Sequence, residues 1–289
     1  MQPLFSLLQQ TVFEWQRDKV PRLGAALAYY TVFSLVPLLF ILVTLSGFIF
    51  GQAAAEAQLL AQVESYLGAD GAQFIRTLVE SPRRSSAGDL PALFGILTLV
   101  VGAFGLFNHL QDALNSIWQV EPKPGRTLGD IVHDRAYSLL AVILTWLLLF
   151  LLLVASTLIA VLAKSFESLP LPVEVLEGVN LLVSLALSMV LFAWLFKELP
   201  DVQITWKHVV PGALLTALLF TVGKFAIGLY LANSGIGSTF GAAGSLVALL
   251  VWIYYSAQIF FFGAAFTRVY TKKYEPHIAP TPNAMRVGK

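Results

Sequence analysis

The sequence predicts an all-α, polytopic membrane protein: a bundle of about six transmembrane helices with a small outer helical hairpin. Three observations carry this reading. Across 289 residues the composition is 57% hydrophobic and 12% charged, where a soluble domain has roughly 45–50% apolar and about 25% charged residues. The mean hydropathy is +0.75, and the apolar residues come in runs of the length, about 20 helical residues, that crosses a hydrocarbon core of about 30 Å. Lys and Arg cluster in alternate loops, as in proteins that thread a bilayer repeatedly.

In chain order, residues 1–22 form a cytoplasmic segment holding an in-plane helix, because Phe5, Leu8, Val12 and Trp15 share one helical face while Gln9, Gln10 and Glu14 lie elsewhere. The six-span membrane domain covers 23–270. Its first span, about Leu23–Phe50, is too long for the apolar region of a cleaved signal and leads into no small-residue cleavage site, so it is expected to remain. Pro37 lies near its middle, removes one backbone donor and marks a candidate kink. Residues 51–89 carry two apolar stripes, Leu59, Val63, Tyr66, Leu67 and then Phe74, Ile75, Leu78, Val79, separated by Gly68-Ala-Asp-Gly71. This pattern predicts two short amphipathic helices forming the outer hairpin. Spans two to six are expected at about Leu90–His109, Arg135–Ala163, Val175–Leu199, Val209–Ala232 and Gly241–Val269. Gly235 and Gly237 fall in the glycine-rich link between the last two and are candidate hinges. Residues 271–289 are expected to be a disordered cytoplasmic tail.

Orientation follows from the basic residues. Arg17, Lys19, Arg22, Lys123, Arg126, Arg135, Lys197, Lys207, Arg268, Lys272, Lys273, Arg286 and Lys289 fall on the side of the termini, against Arg76, Arg83, Arg84 and Lys164 opposite. Thirteen against four places both termini in the cytoplasm. The chain has no cysteine and a formal net charge of +1, which excludes disulfides and thiolate chemistry and gives no basic surface for nucleic acid.

Lys224 is the one charge well inside a span, about eight residues before its outer end and so about 12 Å deep. It shares a face with Ala213, Ala217, Thr221 and Gly228, the small-residue stripe of a helix contact. An ammonium there faces the bundle or a wet cavity, where it holds a ligand anion or makes a structural contact. Asn108, Asp112 and Asn115 share one face at the inner end of span two. They read either as the floor of a polar cavity or as a helix emerging into headgroups. Gln258 and Tyr254, one turn apart in span six, need polar partners in hydrocarbon, met by interhelical hydrogen bonds or by a ligand. His109, His133, His208 and His277 show no metal-ligand spacing, and neither a phosphate-binding loop nor a dinucleotide fingerprint occurs. No metal or other cofactor is expected.

Two segments, Asp18-Lys-Val-Pro-Arg-Leu-Gly-Ala-Ala-Leu-Ala-Tyr-Tyr-Thr-Val-Phe-Ser-Leu-Val-Pro-Leu-Leu39 and Gly244-Ser-Leu-Val-Ala-Leu-Leu-Val-Trp-Ile-Tyr-Tyr-Ser-Ala-Gln-Ile-Phe-Phe-Phe-Gly-Ala-Ala265, resemble the YihY/virulence factor BrkB family of bacterial inner-membrane proteins. The family's last motif usually reads Gly-Ala-Glu, and here Gly263-Ala-Ala265 lacks the carboxylate. The resemblance implies a role in envelope integrity or lipid movement; some members carry a ribonuclease BN label. A nuclease needs a metal or acid–base cluster and a basic groove, which the short, lightly charged loops here do not offer. The expected function is movement of a lipid or other envelope amphiphile, with membrane lipids as partners and no nucleic acid. The alternative is a non-transporting scaffold that anchors envelope proteins through the outer hairpin.

The topology has a direct test, since any introduced cysteine is the sole thiol. A cysteine at Ser85 should label with an impermeant reagent from outside and one at Thr127 only from inside; the reverse pattern would sink the assignment.

Overall fold

The computed structural model describes residues 4–84, 105–124, 147, 173–233, 244–275 and 278–287. Helices dominate: α1 (Leu4–Arg17), α2 (Val20–Phe50), α3 (Gln52–Arg84), α4 (105–118), α5 (Val173–Glu198), α6 (Trp206–Asn233) and α7 (Gly244–Tyr274), with two short strands, β1 (Val120–Pro122) and β2 (Ala284–Arg286). Three stretches of the described helices are long and apolar enough to cross a bilayer: Leu181–Glu198, Trp206–Tyr230 and Leu246–Tyr274. Expected span three and most of span two lie outside the described residues, as do Gly235 and Gly237.

Element ends follow local chemistry. Lys19, with φ 54°, turns the chain between α1 and α2, and Pro21 sits in the first turn of α2, where its missing N–H costs nothing. Gly51, with φ 81°, ends α2 by donating its N–H to the Gly47 carbonyl; the positive φ suits glycine. Pro37 lies inside the continuous α2.

The chain divides into two compact units. One comprises Met1–Glu14, Leu114–Thr221 and Phe262–Lys289; the other comprises Trp15–Ala113 and Val222–Phe261.

In the first unit, Leu7 of α1 packs on Phe266 and Val269 of α7, with Leu8, Leu215 and Tyr270 around them. The contact face of α1 therefore differs from the stripe read in the sequence. Leu7 and Thr11 are buried, while Phe5, Val12 and Phe13 point outward, available to lipid. Arg268 of α7 is 0% exposed. Its guanidinium donates to the Ile117 carbonyl at the end of α4 and pairs with the Glu14 carboxylate of α1. Counted in the sequence as a loop charge, Arg268 is internal, and the basic asymmetry becomes twelve against four.

The expected disordered tail is a second correction. Residues 278–287 are ordered because they supply backbone partners to two other segments. β2 pairs antiparallel with β1, Val120 opposite Arg286; Gln203 donates to the Ala279 carbonyl at 2.9 Å, and Thr281 to that of Asp201 at 3.0 Å. Lys123 adds an Nζ bond to the Pro282 carbonyl at 2.6 Å. Asp201 is held from α4 by a reciprocal pair: Asn115 Nδ2 donates to its carboxylate at 2.7 Å, and its own N–H donates to Asn115 Oδ1 at 2.8 Å.

In the second unit the expected glycine break at Gly68–Gly71 is absent, and Gln52–Arg84 is one helix. It is not straight. Leu59, Leu60 and Ile75 share one apolar cluster with Val43, whereas sixteen residues of straight helix would separate Leu59 from Ile75 by about 24 Å. The chain therefore turns sharply between Leu59 and Ile75 within the helical stretch.

Removing one partner of a buried ion pair strands the other charge and costs about 3–5 kcal/mol. Arg268→Met and Glu14→Gln should each markedly lower the melting temperature of the detergent-purified protein. Arg17→Gln, which removes a charge from the exposed Arg17–Asp18 pair, should lower it far less. Equal melting of all three variants would show that the buried pair does not support the fold.

Candidate functional site

The five polar residues singled out in the spans, Lys224, Gln258, Tyr254, Asn108 and Asp112, all belong to the second unit. What positions Gln258 is the packing of α2 against α7. Ala28 and Val32 meet Leu249, Trp252 and Ile253, and Gly24 lies under Ala257 and Gln258. Rising numbers on one helix meet falling numbers on the other, so the pair is antiparallel. Contacts at positions 21, 24, 28 and 32 of α2 follow the i, i+3, i+7, i+11 periodicity of a helical face.

Gln258 is the polar insertion in this seam. Its Nε2 donates to the Pro21 carbonyl at 3.4 Å, a long bond, and its Oε1 is buried without a hydrogen-bond partner among the described residues. A side-chain amide buried in an apolar span and half satisfied retains one strong acceptor for a donor such as a water, hydroxyl or ammonium group. Tyr254, one turn away, is exposed and does not share the Gln258 contact.

On α6 the inward face changes character along its length. In the first unit Val209, Ala213 and Ala217 are fully buried, and two Gly-x-x-x-Thr pairs interlock. Thr216 donates to the Gly212 carbonyl at 2.7 Å and lies against Gly263; Thr267 donates to the Gly263 carbonyl at 2.8 Å and lies against Gly212. Small residues let the backbones approach closely, while each hydroxyl is satisfied within its own helix.

In the second unit Gly223 continues the contact against Tyr255 and Ile259. Lys224 and Gly228, on the same face as Ala213 and Ala217, do not close up: Lys224 is half-buried, and among the described residues nothing stands within 4 Å of where a Cβ on Gly228 would be. Lys224 Nζ lies 5.3 Å from the Phe225 ring centroid, and the neighbouring Val222 and Phe225 are 67% and 62% exposed. The ammonium thus sits where a tight helix contact gives way to open apolar surface.

The α4 residues diverge. Asn108 is half-buried, Asp112 exposed, and Asn115 buried on Asp201. Their common face resolves into one structural clamp and one solvated carboxylate. The His109 ring packs on Tyr30 with centroids 4.8 Å apart. Nothing in sequence spacing joins residues 79 apart. Among the described residues no three of His, Asp and Glu gather as metal ligands.

Comparison with known proteins fits this picture. The family described as virulence factor BrkB matches residues 11–287. Relatives named UPF0761 membrane protein include those of Pseudomonas aeruginosa LESB58 (28% identical; 86% of this chain, 58% of the relative) and Stenotrophomonas maltophilia R551-3 (29%; 84% and 56%). The Teredinibacter turnerae relative is 26% identical, over 92% of this chain and 60% of its own length. The chain thus spans somewhat under two thirds of these relatives. No solved structure matches it.

The two kinds of glycine contact should respond differently to a methyl group. At Gly212 or Gly263 an added Cβ meets the branch point of a stiff threonine, so alanine should cost about 1–3 kcal/mol. At Gly24 it meets only the mobile end of Gln258, so alanine should be tolerated once that amide swings away. Thermal melts that rank Gly24→Ala as the most damaging of the three would refute this account.

Proposed function

Starting from the premise that this chain belongs to the virulence factor BrkB family of membrane proteins, we propose that it transports or translocates a lipid or other envelope amphiphile across the bacterial inner membrane. In this reading it is a carrier and not an enzyme, with both termini in the cytoplasm.

The observation that carries the proposal is the opening of the α6 inner face at Lys224 and Gly228. A cation within an apolar span draws an anion or water to itself. The exposed Val222 and Phe225 beside it offer apolar surface to an acyl chain. An amphiphile with an anionic headgroup satisfies both demands together. Lysine supplies a compact point charge without the bidentate fit that arginine gives to phosphate, which suits a group that must be released as well as held. The unsatisfied Gln258 Oε1 adds an acceptor within the same unit.

Lys224→Met should therefore insert and fold while losing most movement of an anionic lipid analogue in reconstituted vesicles, and Lys224→Arg should keep part of it. Unchanged lipid movement in Lys224→Met, with insertion confirmed, would remove Lys224 from the mechanism.

A further inference from the structure

We propose that the surface formed by the start of α6 and the end of α7, in the first unit, binds the headgroups of anionic phospholipids. This surface is separate from the Lys224 opening, and the inference does not depend on transport.

His208 fixes its geometry. The imidazole stacks on Tyr274 with ring centroids 6.4 Å apart and 14° between planes, and it sits at the same distance from Tyr270. Its Nδ1 lies 2.9 Å from Thr205 Oγ1 and 3.2 Å from Glu275 Oε2. The single carboxylate of segments 206–210 and 270–275 is therefore turned toward His208. The other charges of these segments are the three lysines Lys207, Lys272 and Lys273. Lys207 and Lys272 are exposed, and Lys273 Nζ stands 5.6 Å from the Tyr274 centroid.

The occupant follows from what lies beside the charges. Trp206, Val210, Leu214 and Leu218 recur every four residues along α6, and all four are exposed; within a helix fit to span a bilayer, this is an acyl-chain track. It ends at the lysines, flanked by Trp206 and Tyr274, the residue types that settle at headgroup level. A soluble phosphate or an acidic peptide would use the lysines and leave the track idle, whereas an anionic lipid uses both. Since lysines recognise charge without planar, bidentate geometry, the surface selects lipids by headgroup charge more than by headgroup shape.

Native mass spectrometry of the purified protein with phosphatidylglycerol and phosphatidylcholine tests this. Wild type should retain phosphatidylglycerol in preference. Each Lys→Gln change at 207, 272 and 273 should weaken that retention about fivefold, the equivalent of about 1 kcal/mol per basic residue at an anionic surface. The triple Lys→Arg variant should retain it, and Trp206→Ala should weaken binding of both lipids. The proposal is overturned if wild type shows no preference, if the triple glutamine variant with an unchanged melting curve binds as wild type does, or if inorganic phosphate at millimolar concentration displaces the lipid.

Discussion

The buried guanidinium of Arg268 organises the first unit. At 0% exposure it carries a charge that no membrane helix tolerates without compensation, and two other segments supply it: the Glu14 carboxylate of α1 and the Ile117 carbonyl at the end of α4. A helix end leaves its last carbonyls without intrahelical partners, so one unsatisfied group answers another. Such a pair adds little net stability over an apolar replacement, because desolvation offsets most of the attraction. Its effect is on register: only one placement of α1 and α4 along α7 satisfies the charge. Leu7 on Phe266 and Val269 and the Asn115–Asp201 pair then fall into place around it.

Where the charge is satisfied, the remaining contacts are made by small residues. Water does not drive helices together within lipid, so close approach and good packing must do so. The interlocked Gly212–Thr267 and Gly263–Thr216 contacts and the Gly24–Gln258 crossing show two versions of this. In the first, each threonine hydroxyl bonds within its own helix and presents only its shape to the neighbour. In the second, a polar amide enters the seam and is only half satisfied. The segments 18–39 and 244–265, which carry the family resemblance, pack on one another through Gly24, Ala28, Leu249 and Ile253. Much of that sequence signal therefore encodes a helix interface.

The apolar runs made helices α2, α5, α6 and α7 legible, the last three with stretches long and apolar enough to cross a bilayer, because lipid exposure forces whole segments to be apolar and helical. The pairing of Arg268 with Glu14 was not legible, since it joins residues 254 apart and each alone resembles an ordinary interfacial charge. The path of α3 was only partly legible for a related reason: glycine marks where a chain can turn, and only tertiary contact, here of Leu59, Leu60 and Ile75 in one cluster, decides how it does so. The tail was misread because its order comes from backbone hydrogen bonds to 119–124 and 201–203, which leave no hydrophobic period in the sequence.

Arg268 and Lys224 show the limit of reading a membrane charge from depth alone. Both lie on apolar helices, and sequence position marked Lys224 as the functional candidate while treating Arg268 as a loop residue. Burial reverses part of that judgement: Arg268 is the more enclosed and is committed to two protein groups, whereas Lys224 stands half-buried at a face that opens by Gly228. A cation enclosed by partners on two other helices is held in place by them. A cation at an opening can trade partners as a ligand arrives and leaves. Under the proposed function, what separates a structural charge from a working one is the space beside it, set by the size of neighbouring residues: small and interlocked at Gly212 and Gly263, small and uncovered by any described residue at Gly228.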